Sequence, residues 1–238
     1  MIRNMANFDA VFFDMDGTIV ENSRLMPGAF KEAFALFGYE ISIDPWRGSG
    51  CTDYEVMDRY LADYPLSDEE KTALKEKIAA EVRRLVIEKV RREPLPILPG
   101  VMEVVARLNK TGLHPGLLTG NMEEIVGPKL EAAGLKRSDF YYGGFGDHSA
   151  CRAQTAQRAL DSASEFLGHK LDPQRALIIG DTPNDIACAR AVGAKALAVA
   201  TGKFSTEKLG TYQPDYLLEN LCSIGDFFSI IENTPADR

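Results

Sequence analysis

The stretch Ala10-Val11-Phe12-Phe13-Asp14-Met15-Asp16-Gly17-Thr18 decides the reading of this chain. Its first four residues are apolar, rich in aromatic and β-branched character, and of the length of a buried strand. They are too few for a signal-peptide core or a membrane span. The run stops at Asp14 and Asp16. In extended backbone, residues i and i+2 face the same side, so both carboxylates point into one site at the carboxyl end of the strand. Open α/β sheets bind their ligands at that edge. Asp-Gly is also a common turn pair, so this segment alone reads equally well as a polar turn.

Outward from it, short apolar runs recur at Gly116–Leu118, Phe140–Tyr142, Ala176–Ile179 and Ala196–Ala200, most of them alternating with helical patterns. That alternation predicts βαβ units on a parallel sheet. The unbroken apolar run Ala176-Leu177-Ile178-Ile179 suits a strand covered on both faces. The expected fold class is therefore α/β, a doubly wound, Rossmann-like core. Between about residues 20 and 96 the rhythm changes to helical patterns without a strand, at Pro27–Phe37, Thr52–Tyr60 and Ser67–Arg92. Ser67 and Glu70 have capping-box spacing, and Pro94, Pro96 and Pro99 end the long helix. The expected division is a discontinuous core of residues 1–19 and 96–238, interrupted by an all-α domain at 20–95. The basic run Arg83, Arg84, Lys89, Arg91 and Arg92 reads as a solvated helix end, where cations suit the dipole.

Composition agrees. A chain of 238 residues, 45% hydrophobic and 26% charged, has room for a main domain and a smaller one, and is neither a disulfide scaffold nor a disordered chain. With 27 Lys+Arg against 35 Asp+Glu, the formal charge of -8 argues against binding nucleic acid by neutralising phosphates. A small anionic substrate held by a few local cations remains open. No membrane partner is expected, and the expected location is the cytoplasm. Cys51, Cys151, Cys188 and Cys222 stand singly, which suits reduced thiols with structural roles.

Two more strand ends carry chemistry. Leu117-Leu118-Thr119-Gly120-Asn121 stops at a hydroxyl and a glycine before a helix. Thr119 and neighbouring main-chain N–H groups suit an anion at a helix start, while Asn121 reads as that helix's N-cap. Ile178-Ile179-Gly180-Asp181-Thr182-Pro183-Asn184-Asp185 delivers Asp181 at the end of a buried strand. There Pro183 opens a helix and Asp185 falls where a capping carboxylate would. Acids converging on one sheet edge repel one another, so a cation is expected among them. Oxygen-only donors from Asp14, Asp181 and Asp185 suit Mg²⁺ rather than Zn²⁺.

In this order the segments resemble the haloacid dehalogenase superfamily, mostly phosphohydrolases, whose pattern is D-x-D-G-T, a strand-terminal Thr or Ser, a Lys or Arg, and G-D-x-x-x-D. Leu98-Pro99-Gly100-Val101 looks like that family's re-entry into the core, and residues 20–95 look like its helical cap. The resemblance implies that Asp14 is a nucleophile forming an aspartyl phosphate and that Asp16 is the general acid and base. It makes Thr119 a phosphoryl ligand and Asp14, Asp181, Asp185 and the main-chain carbonyl of Asp16 the Mg²⁺ site. It also assigns Gly17, Thr18, Gly120 and Asn121 to substrate binding. The family's usual Lys is missing between Gly143 and Arg152, and Arg152 is its expected substitute, able to hold phosphate in a fork. Lys129 is the lesser candidate, expected to face solvent, and His148 reads as a solvated loop residue. Arg47, beside the only Trp, is the expected substrate contact from the cap.

The function so implied is a Mg²⁺-dependent phosphatase of a small phosphorylated metabolite, phosphoglycolate-phosphatase-like, working as a monomer or homodimer. The alternatives are a hexose-phosphate mutase and a binding protein that retains the fold. Asp16 counts against a dehalogenase, which needs no leaving-group proton. The absence of G-x-G-x-x-G and of a P-loop motif counts against a nucleotide-binding enzyme.

Overall fold

In the computed structural model, which describes residues 7–21, 24–44, 48–147 and 151–232, β1 is Ala10–Phe13 and is buried throughout. It pairs in parallel with β2 (Pro115–Leu118) on one side and β4 (Ala176–Gly180) on the other. Beyond β2 lies β3 (Gly143–Gly144), and beyond β4 lie β5 (Lys195–Val199) and β6 (Tyr216–Leu218). The parallel order β3-β2-β1-β4-β5-β6 winds outward one way from β1 and then the other. The reversal falls between β1 and β4, so a crevice opens at their carboxyl ends, where Asp14 and Asp181 emerge.

The period-two alternation of the strands sorts their side chains onto two faces. Val11, Phe13, Leu117, Ile179 and Val199 pack with α4 (Val101–Thr111), α5 (Glu123–Ala132) and α8 (Ile224–Glu232). Ala10, Phe12, Ala176, Ile178 and Ala196 face α6 (Arg152–Leu167) and α7 (Pro183–Val192). This second face is rich in alanine on both sides: Ala156, Ala159, Ala163 and Ala189 meet the strand alanines. The helices can therefore lie close to the sheet.

The helices α1 (Leu25–Leu36), α2 (Asp53–Leu61) and α3 (Asp68–Arg92) share a separate cluster built on Phe30, Phe34, Met57, Leu61, Ile78, Val82 and Val86. Met122 and Ile125, from the start of α5, join it. The expected capping box forms: Glu70 N donates to Ser67 Oγ at 3.2 Å and Ser67 N donates to Glu70 Oε2 at 2.8 Å. The basic end of α3 is also as expected, with Arg84 and Arg92 paired to Glu88 at the surface.

One strand expectation needs correction. Phe140–Tyr142 only leads into β3, after a short 3-10 turn at Arg137–Asp139. Phe140 and Tyr142 are buried and Tyr141 is exposed, while the strand itself is a glycine pair; a Cβ on Gly144 would lie 2.2 Å from Thr155 O of α6. Strand β6 lacked a signal: three half-buried residues at the sheet edge give no period to read.

Candidate active site

The loop after β1 is fixed by its own main chain. Asp14 N donates to Ile179 O at 2.8 Å, extending the pairing with β4, and Ile19 N and Val20 N turn back onto Met15 O. Gly17 has φ of +92° and a Cβ there would fall 2.5 Å from Asp181 Oδ2. Glycine is thus required twice over, by its backbone and by its neighbour. Thr18 is buried and donates to Asp181 Oδ1 at 3.4 Å. Asp14, Asp16, Gly17, Thr119, Gly120, Asn121, Arg152 and Asp181 line a cavity of about 500 Å³. Thr18, expected to bind substrate, is not among its lining residues and instead steadies Asp181.

Asp14, Asp181 and Asp185 bring one carboxylate oxygen each to within 4.8 Å of one another, all three residues buried. Burial pushes the Asp14 carboxyl up to about 7. Burial, reinforced by Asp14 and Asp185, raises Asp181 well above the carboxylate range. Asp185 fulfils both readings of its position. Its Oδ2 accepts from Thr182 N at 3.0 Å and Thr182 Oγ1 at 2.6 Å, closing the capping box of α7, while its Oδ1 accepts from Arg152 Nη2 at 2.7 Å.

Arg152, first residue of α6 and 7% exposed, stands where a phosphate-binding cation was expected. Its Nη2 donates to Asp14 Oδ1 at 2.5 Å and to Leu118 O at 3.0 Å, as well as to Asp185. Burial works against its charge, but Asp14 and Asp185 outweigh it and hold the guanidinium ionised. Its buried Nε has no partner among the described residues. Thr119, also buried, donates its N–H to Gly144 O at 3.1 Å and accepts at Oγ1 from Asn121 N at 3.2 Å.

Two sequence expectations fail here. Lys129 does not face solvent: it is wholly buried, and its Nζ donates to Asp16 Oδ1 and, at 2.5 Å, to Asn121 Oδ1. Asn121 does not cap α5, whose N-cap is Met122; its Nδ2 donates to Asp16 Oδ2 at 2.9 Å. The signal for Lys129 was present in the sequence. Ile125, Val126 and Leu130 are buried on α5, and Lys129 falls on their stripe at helical spacing.

Sequence reasoning also passed over Asp53. It opens α2, is 4% exposed, and joins the loop after β2 by two bonds: Asp53 N donates to Gly120 O at 2.7 Å, and Asp53 Oδ2 accepts from Met122 N at 2.9 Å. Burial pushes its carboxyl up to about 7, although the Met122 N–H and the charge of Lys129 pull the other way. Asn184 Nδ2 donates to Ser49 O at 2.9 Å, so segment 48–53 touches both the loop after β2 and the first turn of α7. A Cβ on Gly120 would fall 2.0 Å from Cys51 O, which makes that contact one of backbone against backbone. Met26, Phe30, Ile43, Val56 and Tyr60 also line the cavity. Arg47 and His148 lie outside the described residues. All four cysteines are free, Cys51 and Cys188 buried and the other two exposed.

Residues 8–193 match the family model of the haloacid dehalogenase-like hydrolases. The chain belongs to that family. Among curated relatives, PpaX of Caldanaerobacter subterraneus subsp. tengcongensis, provisionally assigned as a pyrophosphatase, is 27% identical over 89% of this chain and 90% of its own. Phosphoglycolate phosphatase of Escherichia coli K12 is 26% identical over 89% of this chain and 88% of its own. Among solved structures, CbbY of Rhodobacter sphaeroides in complex with phosphate superposes with a TM-score of 0.73 at 20% identity, over 92% of this chain and 96% of that one. The fold is thus shared with that structure. Among the described residues, no helix is long and apolar enough to cross a membrane.

Proposed function

We propose that this hydrolase is a Mg²⁺-dependent phosphatase of a small phosphomonoester, phosphoglycolate-phosphatase-like, acting through an aspartyl-phosphate intermediate. One observation carries the reading: three buried carboxylates, from the ends of β1 and β4 and from α7, cluster at the sheet's switch point, partly balanced by a single guanidinium, with Asp14 and Asp181 lining the cavity. Once ionised, three acids and one Arg carry net negative charge in a low-dielectric site, and the donors are all oxygen. Both facts suit a hard dication. Asp14, Asp181 and Asp185 would hold the ion, with the main-chain carbonyl of Asp16. When bound, Mg²⁺ supplies neutralisation of the phosphoryl charge.

In this reading a carboxylate oxygen of Asp14 attacks phosphorus, the ester P–O bond breaks, and the departing oxygen takes a proton from Asp16. Asp16 then accepts a proton from the water that cleaves the acyl phosphate, releasing inorganic phosphate and restoring Asp14. Thr119 and Arg152 orient the phosphoryl oxygens, with catalysis resting on positioning and charge complementarity. Residues 20–95 act as a cap whose segment 48–53 closes over the leaving group. The lack of a membrane-spanning helix among the described residues and the free cysteines support a cytoplasmic location.

The test is phosphate release from a panel of phosphorylated metabolites, including 2-phosphoglycolate and hexose phosphates, with Mg²⁺ and with chelator, in the parent and in Asp14→Asn. Mg²⁺-dependent release that disappears in the variant is the expected result. An isomerised sugar phosphate without inorganic phosphate would replace the reading with a mutase.

A further inference from the structure

Resting on the reading of Asp16 as general acid and base, we propose that Lys129 is a positioning residue for that carboxylate. With Asn121 it locks Asp16 in the orientation that protonates the leaving group. The observation is a closed ring of three side chains. Lys129 Nζ holds Asp16 Oδ1, Asn121 Nδ2 holds Asp16 Oδ2 at 2.9 Å, and Lys129 Nζ meets Asn121 Oδ1 at 2.5 Å. Each oxygen of Asp16 therefore has its own donor, and the two donors are tied to each other. A carboxylate held at both oxygens cannot rotate about its last side-chain bond, and general acid catalysis needs that fixed placement within hydrogen-bond reach of the departing oxygen.

The ring has an inner and an outer side. Asp16 lines the cavity with its side chain 23% exposed, while that of Lys129 is 0% exposed and does not line the cavity. The ammonium acts on substrate only through Asp16. Burying it is costly unless it is paired and fully bonded, and an apolar residue at this place on the α5 stripe would serve packing alone better. A charge retained against that cost, and aimed at the carboxylate beside the nucleophile, is accounted for by a role in fixing Asp16. Asp53, which also faces this ammonium, bonds to Met122 N rather than to the ring and does not compete for Asp16.

The experiment compares leaving groups in the Mg²⁺-loaded enzyme, using an alkyl phosphate from the panel and p-nitrophenyl phosphate, whose phenolate leaves without a proton. Asp16→Asn is the reference for losing the acid. Lys129→Met should lower kcat/KM for the alkyl ester about 100-fold, within the range of general acid catalysis, and for the aryl ester less than about 5-fold. KM should stay within about threefold of the parent. Lys129→Gln, which keeps a neutral donor, should show the same selective loss to a smaller extent; it replaces the Met variant if that one does not fold. Equal losses on both esters in the Lys129 variants, with the selective loss intact in Asp16→Asn, would overturn the proposal and leave Lys129 a packing residue. An Asp16→Asn variant without a selective loss would instead overturn the assignment of Asp16 itself.

Discussion

Replacing Asp53 by Asn should make the protein more resistant to unfolding as pH rises, an effect opposite to that expected of an ordinary surface acid. The carboxyl of Asp53 is moved from its ordinary 3.8 up to about 7, chiefly by burial. A group whose folded pKa is raised binds more protons folded than unfolded between the two values, so stability falls with pH across that window. It is fully present below about 4 and has been lost once pH passes 7. Each pH unit inside the window is worth about 1.4 kcal/mol. From pH 5 to pH 7.5, with the slope flattening near 7, the parent therefore loses about 2.5 kcal/mol through this one carboxyl. Asn cannot ionise, and its carbonyl can still accept from Met122 N. Any cost of placing its amide N–H₂ there is independent of pH and cancels from the slope. The assay is chemical denaturation of parent and variant at both pH values, with chelator present so that metal affinity does not intervene. The stability difference should move by about 2.5 kcal/mol in favour of Asn, or of the order of 5–10 °C in Tm for a chain of this size. A difference that stays constant within about 0.5 kcal/mol would mean that Asp53 is solvated in the folded protein. The docking of α2 onto the loop after β2 would then be refuted.

Three further outcomes follow from the site. Asp14→Asn should abolish turnover and leave the fold intact, as read by phosphate release beside near-ultraviolet circular dichroism; near-normal activity would remove Asp14 as nucleophile. Arg152→Ala strands Asp14 and Asp185 and should cost about 3–5 kcal/mol in chelator at neutral pH, the scale for breaking a buried pair from one side. Saturating Mg²⁺ should recover part of it in a denaturation series, whereas a loss equal in both conditions would separate Arg152 from the metal. Because Asp14 and Asp181 are both raised by burial, binding the cation must displace protons. The apparent Mg²⁺ affinity, measured by calorimetry, should therefore weaken about tenfold per pH unit below 7 where one proton is released.

The sheet was legible where strands are buried on both faces. Ala10–Phe13 was read with the bounds it has, and Ala176–Ile179 missed only Gly180, because continuous apolar runs between breakers leave few alternatives. The helices at 25–92 were legible from their period and caps. What escaped was decided by the third dimension. Position 144 in β3 is glycine because α6 leaves no room for a side chain there, and nothing local announces that. Within the site, the acids at strand ends were visible because an acid has no local reason to end a buried strand. Arg152 was reachable only by elimination. Asn121 misled because residues that cap helices also make good side-chain ligands, and only the position of Asp16 decides between the two. Lys129 misled because a lysine on a helix is exposed far more often than buried, and that prior outweighed the apolar stripe on which it lies.

The two halves of the D-x-D pair meet different cations, and this lets carboxylates two residues apart take different tasks. Asp14 belongs to a buried set with Asp181, Asp185 and Arg152, where its charge is stabilised by a guanidinium and, in our reading, a metal. Asp16 instead meets Lys129 and Asn121, with part of its surface open to the cavity. A nucleophile must stay ionised and fixed in line with phosphorus, whereas an acid and base must exchange a proton with a leaving group and then with water. Two cations on two different helices, Arg152 on α6 and Lys129 on α5, allow the environments to diverge, the general way in which paired carboxyls acquire different roles. The double variant Arg152→Ala, Lys129→Met should accordingly show nearly additive losses in kcat/KM for an alkyl phosphate, since the two cations share no partner. A strong departure from additivity would show that Asp14 and Asp16 are coupled through a common network after all.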